Sequence, residues 1–179
     1  MDKITLGTRN VSIEFPGVKA LSNVDFEIET GVIHALMGAN GAGKSTLMKV
    51  LAGSNPGYTG DVLYNGNPVE LRNPAAAKKL GIQIVYQEVD MALIPTLTVA
   101  ENVMFNDLVM NMGHKQFVNY GKIRKDAKEA LARLNVNIDV RRMCGTLTLA
   151  QKQMVLIARA VQSACNFLIL DEPTAPLSE

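Results

Sequence analysis

One loop sets the architecture of this chain: Gly38-Ala39-Asn40-Gly41-Ala42-Gly43-Lys44-Ser45-Thr46 matches the phosphate-loop pattern G-x-x-x-x-G-K-[ST] at every fixed position. An apolar run, residues 32–37, precedes the loop, and a helical pattern, residues 46–51, follows it. We expect the apolar run to form a strand, because strand, loop and helix in this order are the context of a phosphate-binding loop. The sequence therefore predicts a binding site for a nucleoside triphosphate.

Each residue type in the loop suits a phosphate ligand. Glycines at positions 38, 41 and 43 are expected to adopt backbone angles that side chains disfavour, so that successive N–H groups turn inward. The N-terminus of the following helix adds roughly half a positive charge. Lys44 is predicted to reach the β- and γ-phosphates, and the Ser45 hydroxyl is predicted to hold Mg²⁺. The nucleotide-binding residues are therefore expected to be Gly38, Ala39, Asn40, Gly41, Ala42, Gly43, Lys44, Ser45 and Thr46.

Length, charge and cysteine content limit the class of protein. The chain has 179 residues, which suits one medium-sized domain, and its 18 basic and 17 acidic residues give a net charge of +1. This balance gives no reason to expect a nucleic-acid partner, since a basic stripe is the usual footprint. No apolar run reaches membrane-spanning length, and the N-terminus lacks the apolar core of a signal peptide. Two cysteines, Cys144 and Cys165, indicate a reducing, cytosolic setting.

Apolar patterns outside the loop indicate a mixed α/β fold. Alternation over residues 24–28 predicts a half-buried strand, and Asn65-Gly66 after residues 62–64 predicts a hairpin. Residues 81–86 and 167–170 are expected to form further strands. The fold class predicted is therefore α/β, a phosphate-loop NTPase with an antiparallel β subdomain and a helical subdomain.

Residues 99–164 are expected to be mostly helical. One helix is predicted from Val99 to Phe105, and another where Ile123, Ala127, Ala130, Leu131 and Leu134 recur at helical spacing. Thr148 and Gln151 form a potential capping box that opens a third helix, which runs to about Ser163. Its expected apolar face comprises Met154, Ile157, Ala158 and Val161. Residues 110–120 are predicted to be an irregular connection.

The last predicted strand leads into two adjacent carboxylates. Residues 167–170 are followed by Asp171 and Glu172, which together fit a Walker B pattern. Asp171 is expected to reach the Mg²⁺ shell, usually through water, and Glu172 to orient and activate the attacking water. The alternative is an ordinary strand that ends in an acidic turn, but the upstream phosphate loop favours the functional interpretation.

Taken in chain order, these motifs resemble the nucleotide-binding domain of an ABC transporter, over essentially all 179 residues. The resemblance implies that Gln87 is the Q-loop glutamine, which contacts Mg²⁺, takes part in catalysis and links the site to a membrane subunit. It also implies that Phe15 stacks on adenine, where the alternative is a core residue at a strand end. The domain would then comprise a nucleotide-binding core with the β subdomain, about 1–90 and 165–179, and a helical subdomain, about 91–164.

The signature position of that family is occupied by Leu147-Thr148-Leu149-Ala150-Gln151. The common form is Leu-Ser-Gly-Gly-Gln, so Thr replaces Ser while Leu149 and Ala150 replace both glycines. A threonine hydroxyl can still donate to the γ-phosphate of a partner's ATP, and the helix N-terminus is still positive. The alternative is a capped amphipathic helix that binds no ligand. The position of this segment just before the Walker B strand favours the signature interpretation.

Within the ABC proteins, the chain most resembles bacterial monosaccharide importers of the ribose, galactose and xylose type. The residues that carry this resemblance are 15–21, 86–88, 97–102, 153–155 and 171–178. It implies an ATPase at the cytoplasmic face of the cell membrane, peripheral to it, with ATP and Mg²⁺ as cofactors. The implied partners are a second nucleotide-binding domain on the same full-length chain, membrane permease subunits and an external sugar-binding protein.

The resemblance also leaves parts of the family's domain unaccounted for. The family's switch histidine lies downstream of Walker B, whereas His34 and His114 lie upstream. We therefore expect a C-terminally truncated, N-terminal fragment that binds ATP and hydrolyses it poorly. Two alternatives are a non-transport ABC ATPase, associated with ribosomes or DNA, and an ATP-binding module inactive in hydrolysis. The near-neutral charge, and the lack of sustained heptads between Lys44 and Asp171, argue against the first.

Overall fold

The computed structural model describes residues 3–86, 89–111 and 118–171. The chain divides into two compact units, Met1–Ile84 and Val85–Glu179. In chain order the elements are β1 (Thr5–Phe15), β2 (Val18–Glu29), α1 (Lys44–Leu51), β3 (Thr59–Tyr64), β4 (Asn67–Val69), α2 (Pro74–Lys79), β5 (Ile82–Val85), α3 (Val89–Ala92), α4 (Val99–Val103), α5 (Phe105–Asn111), α6 (Tyr120–Arg133), a 3₁₀ turn (Cys144–Thr146), α7 (Leu149–Gln162) and β6 (Phe167–Leu170).

The first unit is built on a four-stranded antiparallel sheet in the order β2-β1-β3-β4. Phe15 pairs with Val18 across a two-residue turn, in which Gly17 has φ 80°. The hairpin predicted at Asn65-Gly66 is confirmed, since β3 and β4 pair there in antiparallel register. Both turn residues have positive φ, 51° and 73°, as a type I′ turn requires.

The strand predicted at residues 32–37 is wrong for this structure, which has no strand between β2 and α1. Ile33 is 97% exposed and Met37 is 88% exposed. A strand that is apolar at successive positions is stable only when other elements cover both of its faces and neighbouring strands form hydrogen bonds with its edges. No strand among the described residues pairs with this segment, which forms neither helix nor strand.

The core of the second unit is formed mainly by α4, α6 and α7. Its fully buried side chains include Val99 and Val103 from α4, Ala127 from α6, and Val155 and Ala158 from α7. The end of β6 lies beside the end of β5, where the Asp171 N–H donates a hydrogen bond to the Val85 carbonyl at 3.1 Å. The predicted strands around 81–86 and 167–170 are thus confirmed as β5 and β6.

The helix predicted from Thr148 to about Ser163 is confirmed, and three of the four residues of its predicted apolar face pack on the core. The capping box at Thr148 and Gln151 is present, and α7 ends at Gln162 with Ser163 as its C-cap. Ala158 is buried, and Met154 and Ile157 are partly buried against the core. The fully buried set of α7 is wider than the predicted face, because α3, α4 and α6 all pack on this helix; it comprises Gln153, Val155, Leu156, Ala158 and Ala160.

Two further boundaries differ from the predictions. The single helix expected from Val99 to Phe105 is divided, because α4 ends at Val103 and α5 begins at Phe105. The irregular connection expected at 110–120 is shorter, because α5 extends to Asn111 and α6 begins at Tyr120. Residues 112–117 lie outside the described part of the chain.

Candidate functional site

The phosphate loop ends at Gly43, which forms the N-cap of α1 with φ 85°. A Cβ at this position would lie 2.5 Å from the Ala20 carbonyl oxygen and 2.8 Å from Leu21 Cδ2. Both the backbone angle and the close approach to β2 therefore require glycine. Gly41 also has a positive φ, 79°. Gly38 does not have a positive φ, so the expectation of a special backbone angle there is wrong. A Cβ added at Gly38 would lie 3.5 Å from its nearest neighbour.

Lys44 turns back across the loop that precedes it. Its Nζ donates to the Gly38 carbonyl at 2.8 Å and to the Ala39 carbonyl at 2.9 Å. The Ala42 N–H donates to the same Ala39 carbonyl at 3.1 Å, which closes the loop on itself. The ammonium group is therefore held at the mouth of the loop.

These features fit the phosphate groups of a nucleotide. Residues 38–42 are exposed, so an anion can reach the loop, and α1 presents its positive end there. Ser45 and Thr46 are half-buried in the first turn of α1. A loop of exposed backbone, a helix N-terminus and a held ammonium group together provide the donors that a polyphosphate requires.

The predicted metal ligands lie in different parts of the chain. Ser45 belongs to the first unit and Asp171 to the second, and Gln87 lies outside the described residues. In the described ranges, no group of three His, Cys, Asp or Glu residues could hold a metal ion. The shared Mg²⁺ site of Ser45, Gln87 and Asp171 stays a prediction. So does the catalytic role of Glu172, which also lies outside the described residues.

Phe15 lies at the end of β1, beside the hairpin turn, and is 41% exposed. Its cross-strand neighbour Val18 is 60% exposed. A ring in this position is not part of the buried core, so it retains surface on which a planar base could stack. Stacking on adenine stays a prediction.

The predicted signature residues form the start of α7. Thr148 is its N-cap, and its Oγ1 accepts the Gln151 N–H at 3.3 Å. The Gln151 side-chain oxygen accepts the Thr148 N–H at 3.2 Å in return. Because the threonine hydroxyl accepts here, its own hydrogen can still be donated to another group. Leu149 is 39% exposed, so a large side chain lies where the common motif has glycine.

A buried polar cluster behind the signature helix was not predicted from the sequence. Asn102 is fully buried in α4, and its Nδ2 donates to the carbonyls of Ile94, Leu97 and Thr98. Its Oδ1 accepts the Ile94 N–H at 3.0 Å and the Arg159 guanidinium at 2.8 Å. Burial lowers the pKa of Arg159 from its ordinary value. The signal available in the sequence was an arginine on an otherwise apolar stretch of α7.

The residues that lead into the signature bond to the same segment before α4 that Asn102 contacts. The Cys144 N–H donates to the Leu97 carbonyl, and the Gly145 N–H donates to the Pro95 carbonyl, both at 3.0 Å. Cys144 is fully buried, and burial raises the pKa of its thiol. The turn before Leu147 is thus held against the segment that precedes α4.

Together, the phosphate loop at the start of α1, the antiparallel sheet and the helical unit define a phosphate-loop NTPase of the ATP-binding-cassette class. A protein-family model described as "ABC transporter" matches residues 21–175. The chain belongs to the ABC transporter family.

Its curated relatives include several sugar importers. The chain is 45% identical over 174 residues to "Ribose import ATP-binding protein RbsA 1" of Rubrobacter xylanophilus. This alignment covers 97% of this chain and 34% of that protein. The chain is 40% identical over 181 residues to "Xylose import ATP-binding protein XylG" of Thermoanaerobacter pseudethanolicus, covering 100% and 35%. The chain therefore spans about a third of the length of these relatives.

Solved structures with a similar fold include components of ABC transporters. The ADP conformation of MJ1267, an ATP-binding cassette of an ABC transporter, superimposes with a TM-score of 0.78 at 26% identity, covering 98% of this chain and 70% of that one. The cbiO1 protein of Clostridium perfringens, part of the ABC transporter complex cbiONQ, gives a TM-score of 0.76 at 28% identity, covering 95% and 66%. The α/β fold class predicted from the sequence is confirmed by these neighbours.

Proposed function

We propose that this chain is part of an ATP-binding, ATP-hydrolysing subunit that powers a bacterial ABC importer for a monosaccharide. The observation that carries the proposal is the preformed phosphate loop, in which Lys44 already lies over the carbonyls of Gly38 and Ala39. The names of the relatives, ribose and xylose import ATP-binding proteins, support the substrate class.

In this proposal the nucleotide is MgATP, and bound ATP supplies a phosphoanhydride bond whose hydrolysis drives transport. Lys44 and the N-terminus of α1 neutralise phosphate charge, and Ser45 offers a hydroxyl oxygen to Mg²⁺. Phe15 contributes an aromatic face for the base. Asp171 contributes a carboxylate to the Mg²⁺ shell and Glu172 acts as a general base toward water, in keeping with a carboxylate pair after a strand.

The proposed partners follow from the signature and from the family. Thr148, at the start of α7, faces the ATP of a second nucleotide-binding domain, which is carried on the same full-length protein. The permease subunits lie in the membrane and an external protein delivers the sugar. The subunit itself lies peripherally at the cytoplasmic face. No helix within the described ranges is long and apolar enough to cross a membrane.

A second candidate, a nucleotide-binding module that does not hydrolyse ATP, is favoured by one observation. Leu149 replaces a glycine of the common signature and is 39% exposed at the start of α7. A leucine there limits how closely the backbone can approach a phosphate. ATP would then hold the two domains together without turnover at the site that this signature serves.

The test measures ATP hydrolysis and sugar uptake by the full-length protein with its permease in proteoliposomes. We expect turnover that a monosaccharide and its binding protein stimulate. Glu172→Gln should lower hydrolysis about 10²- to 10⁴-fold while ATP still binds, because a general base is lost. Binding without wild-type turnover would favour the second candidate, and stimulation by a substrate other than a sugar would contradict the monosaccharide assignment.

A further inference from the structure

Two cationic side chains project from one face of α7 toward the α3–α4 region. Lys152 and Arg159 are seven residues apart, which is two helical turns, so they lie on the same face of the helix. Lys152 belongs to the turn that follows Thr148, because the Lys152 N–H donates to the Thr148 carbonyl at 2.9 Å. Arg159 lies in the last part of α7.

Lys152 provides the first attachment. Its Nζ contacts the Asp90 carboxylate of α3 at 2.6 Å. The lysine side chain is 19% exposed and the aspartate side chain is 68% exposed, so most of the lysine stem is covered while the pair itself reaches the surface. Solvent weakens such a pair, but its short contact fixes the direction in which the first turn of α7 faces.

Arg159 provides the second attachment, and besides its bond to Asn102 Oδ1 at 2.8 Å it makes three further contacts. One terminal nitrogen donates to the Ala92 carbonyl at 2.7 Å, and Nε donates to the Asn102 carbonyl at 2.6 Å. The guanidinium also lies 5.5 Å from the centre of the Phe105 ring. A planar group hydrogen-bonded to the end of α3 and to α4, and packed on an aromatic ring of α5, cannot rotate without losing several of these contacts.

The two attachments together restrain the helix more than either does alone. They are about 10 Å apart along the axis, from 1.5 Å of rise per residue. α3, α4 and α6 pack on α7, and two polar attachments at separated points on one face add a restraint on its tilt and rotation. The end of α7 that carries Thr148 then has one orientation relative to α3 and α4.

We propose that Lys152 and Arg159, with Asp90, are positioning residues that hold the signature end of α7 in the orientation needed for ATP turnover. This inference rests on the proposed function, because it concerns the helix that would face a partner's ATP. Asp90, Lys152 and Arg159 belong to the second unit, whereas the phosphate loop of Lys44 belongs to the first. Loss of the attachment therefore lowers the turnover number and leaves the ATP affinity of that loop unchanged.

The test uses charge reversal in the full-length protein assembled with its permease. Asp90→Lys and Lys152→Asp should each lower kcat about threefold to tenfold, while the Kd for MgATP changes less than twofold. The double variant restores the pair in reversed order, so it should recover kcat to within about twofold of the wild type. Glu129→Lys disrupts the exposed Lys125–Glu129 pair of α6, whose contact is 4.0 Å, and serves as the matched control.

Two results would overturn the proposal: single variants that match Glu129→Lys in kcat, or a double variant no better than the worse single one. A second readout is amide hydrogen exchange in the first turn of α7, which the single reversals should accelerate and the double variant should restore. If the wild type hydrolyses no ATP, the proposed function fails, and this exchange pattern alone decides whether Asp90 and Lys152 position the helix.

Discussion

At the scale of single residues, Gly43 and Lys44 depend on different physical effects. Gly43 is required by its backbone angle and by its contact with β2, so its role is steric and is present without a ligand. Lys44 acts through its charge, and in this structure its ammonium group is bound to the loop's own carbonyls. Folding and ligand binding are therefore separable by substitution at these two adjacent positions.

We predict that Gly43→Ala lowers the free energy of unfolding by about 2–3 kcal/mol. Strain at φ 85° accounts for about 1 kcal/mol, and the contact with the Ala20 carbonyl adds an overpacking cost of similar size or larger. The measurement is urea unfolding of both proteins. Gly17→Ala is the matched control, because Gly17 has φ 80° but no atom within 4 Å of the added Cβ. Equal losses at both positions would show that the contact with β2 has no energetic effect.

The sequence predicts which residues form the phosphate loop, but it does not predict their backbone angles or the contacts of their side chains. The motif predicts Lys44 and the glycines as a phosphate-loop set, since the pattern itself carries that information, and their binding role stays a prediction. It could not show that Gly38 has an ordinary backbone angle, because that depends on the path of the preceding chain. Nor could it show Asn102 and Arg159 in contact, because 57 residues separate them and contact depends on the packing of α4 against α7.

Among the helices and strands, features that depend on neighbouring residues were predicted correctly, whereas features that depend on distant parts of the chain were not. The β3–β4 hairpin and the start of α7 are determined by neighbouring residues, namely Asn65-Gly66 and the Thr148–Gln151 capping box. Residues 32–37 failed as a strand because pairing depends on a partner elsewhere in the chain. The predicted apolar face of α7 packs on the core for three of its four residues but is incomplete for a related reason, since three helices pack around α7 and periodicity alone indicates one face.

We predict that Asn102→Ala destabilises the second unit by about 3–5 kcal/mol. The substitution leaves the Ile94 amide and one side of Arg159 without their partner in a buried setting, where unpaired polar groups are costly. The change is measured as the shift in the urea unfolding midpoint. Asn137→Ala, at an exposed position, is the control and should shift stability by less than about 0.5 kcal/mol. A loss at Asn102 as small as that of the control would contradict the role of the cluster.

At the scale of the whole molecule, the chain forms two compact units, Met1–Ile84 and Val85–Glu179. The division expected from the sequence, with a core at about 1–90 and 165–179 and a helical part at about 91–164, stays a prediction. Sequence motifs mark function, and they do not record which residues share a compact unit. The chain spans about a third of the length of its curated relatives.

We predict that stability falls as the pH rises above about 9, in part because of the two thiols. Burial raises the pKa of Cys144 and of Cys165 above the ordinary value of 9.0. The unfolded chain then loses these protons at lower pH than the folded chain, so the thiols stabilise fully below that value and less as pH rises through their folded pKa. Urea midpoints from pH 7.5 to 10.5 measure the effect. Cys144→Ala combined with Cys165→Ala should flatten the curve, and an unchanged slope would contradict this assignment.

Calorimetric titration of MgATP tests whether the loop formed by residues 38–46 binds nucleotide. Because the full-length protein is proposed to carry a second nucleotide-binding domain, the titration uses a background in which the phosphate-loop lysine of that second domain is replaced by alanine. In this background we expect MgATP to bind at residues 38–46, and Lys44→Ala to weaken binding about 10- to 100-fold, because a charge-assisted contact with phosphate is lost. Matching unfolding temperatures without nucleotide would show that the variant is folded. Equal affinities with and without Lys44 would contradict nucleotide binding at this loop.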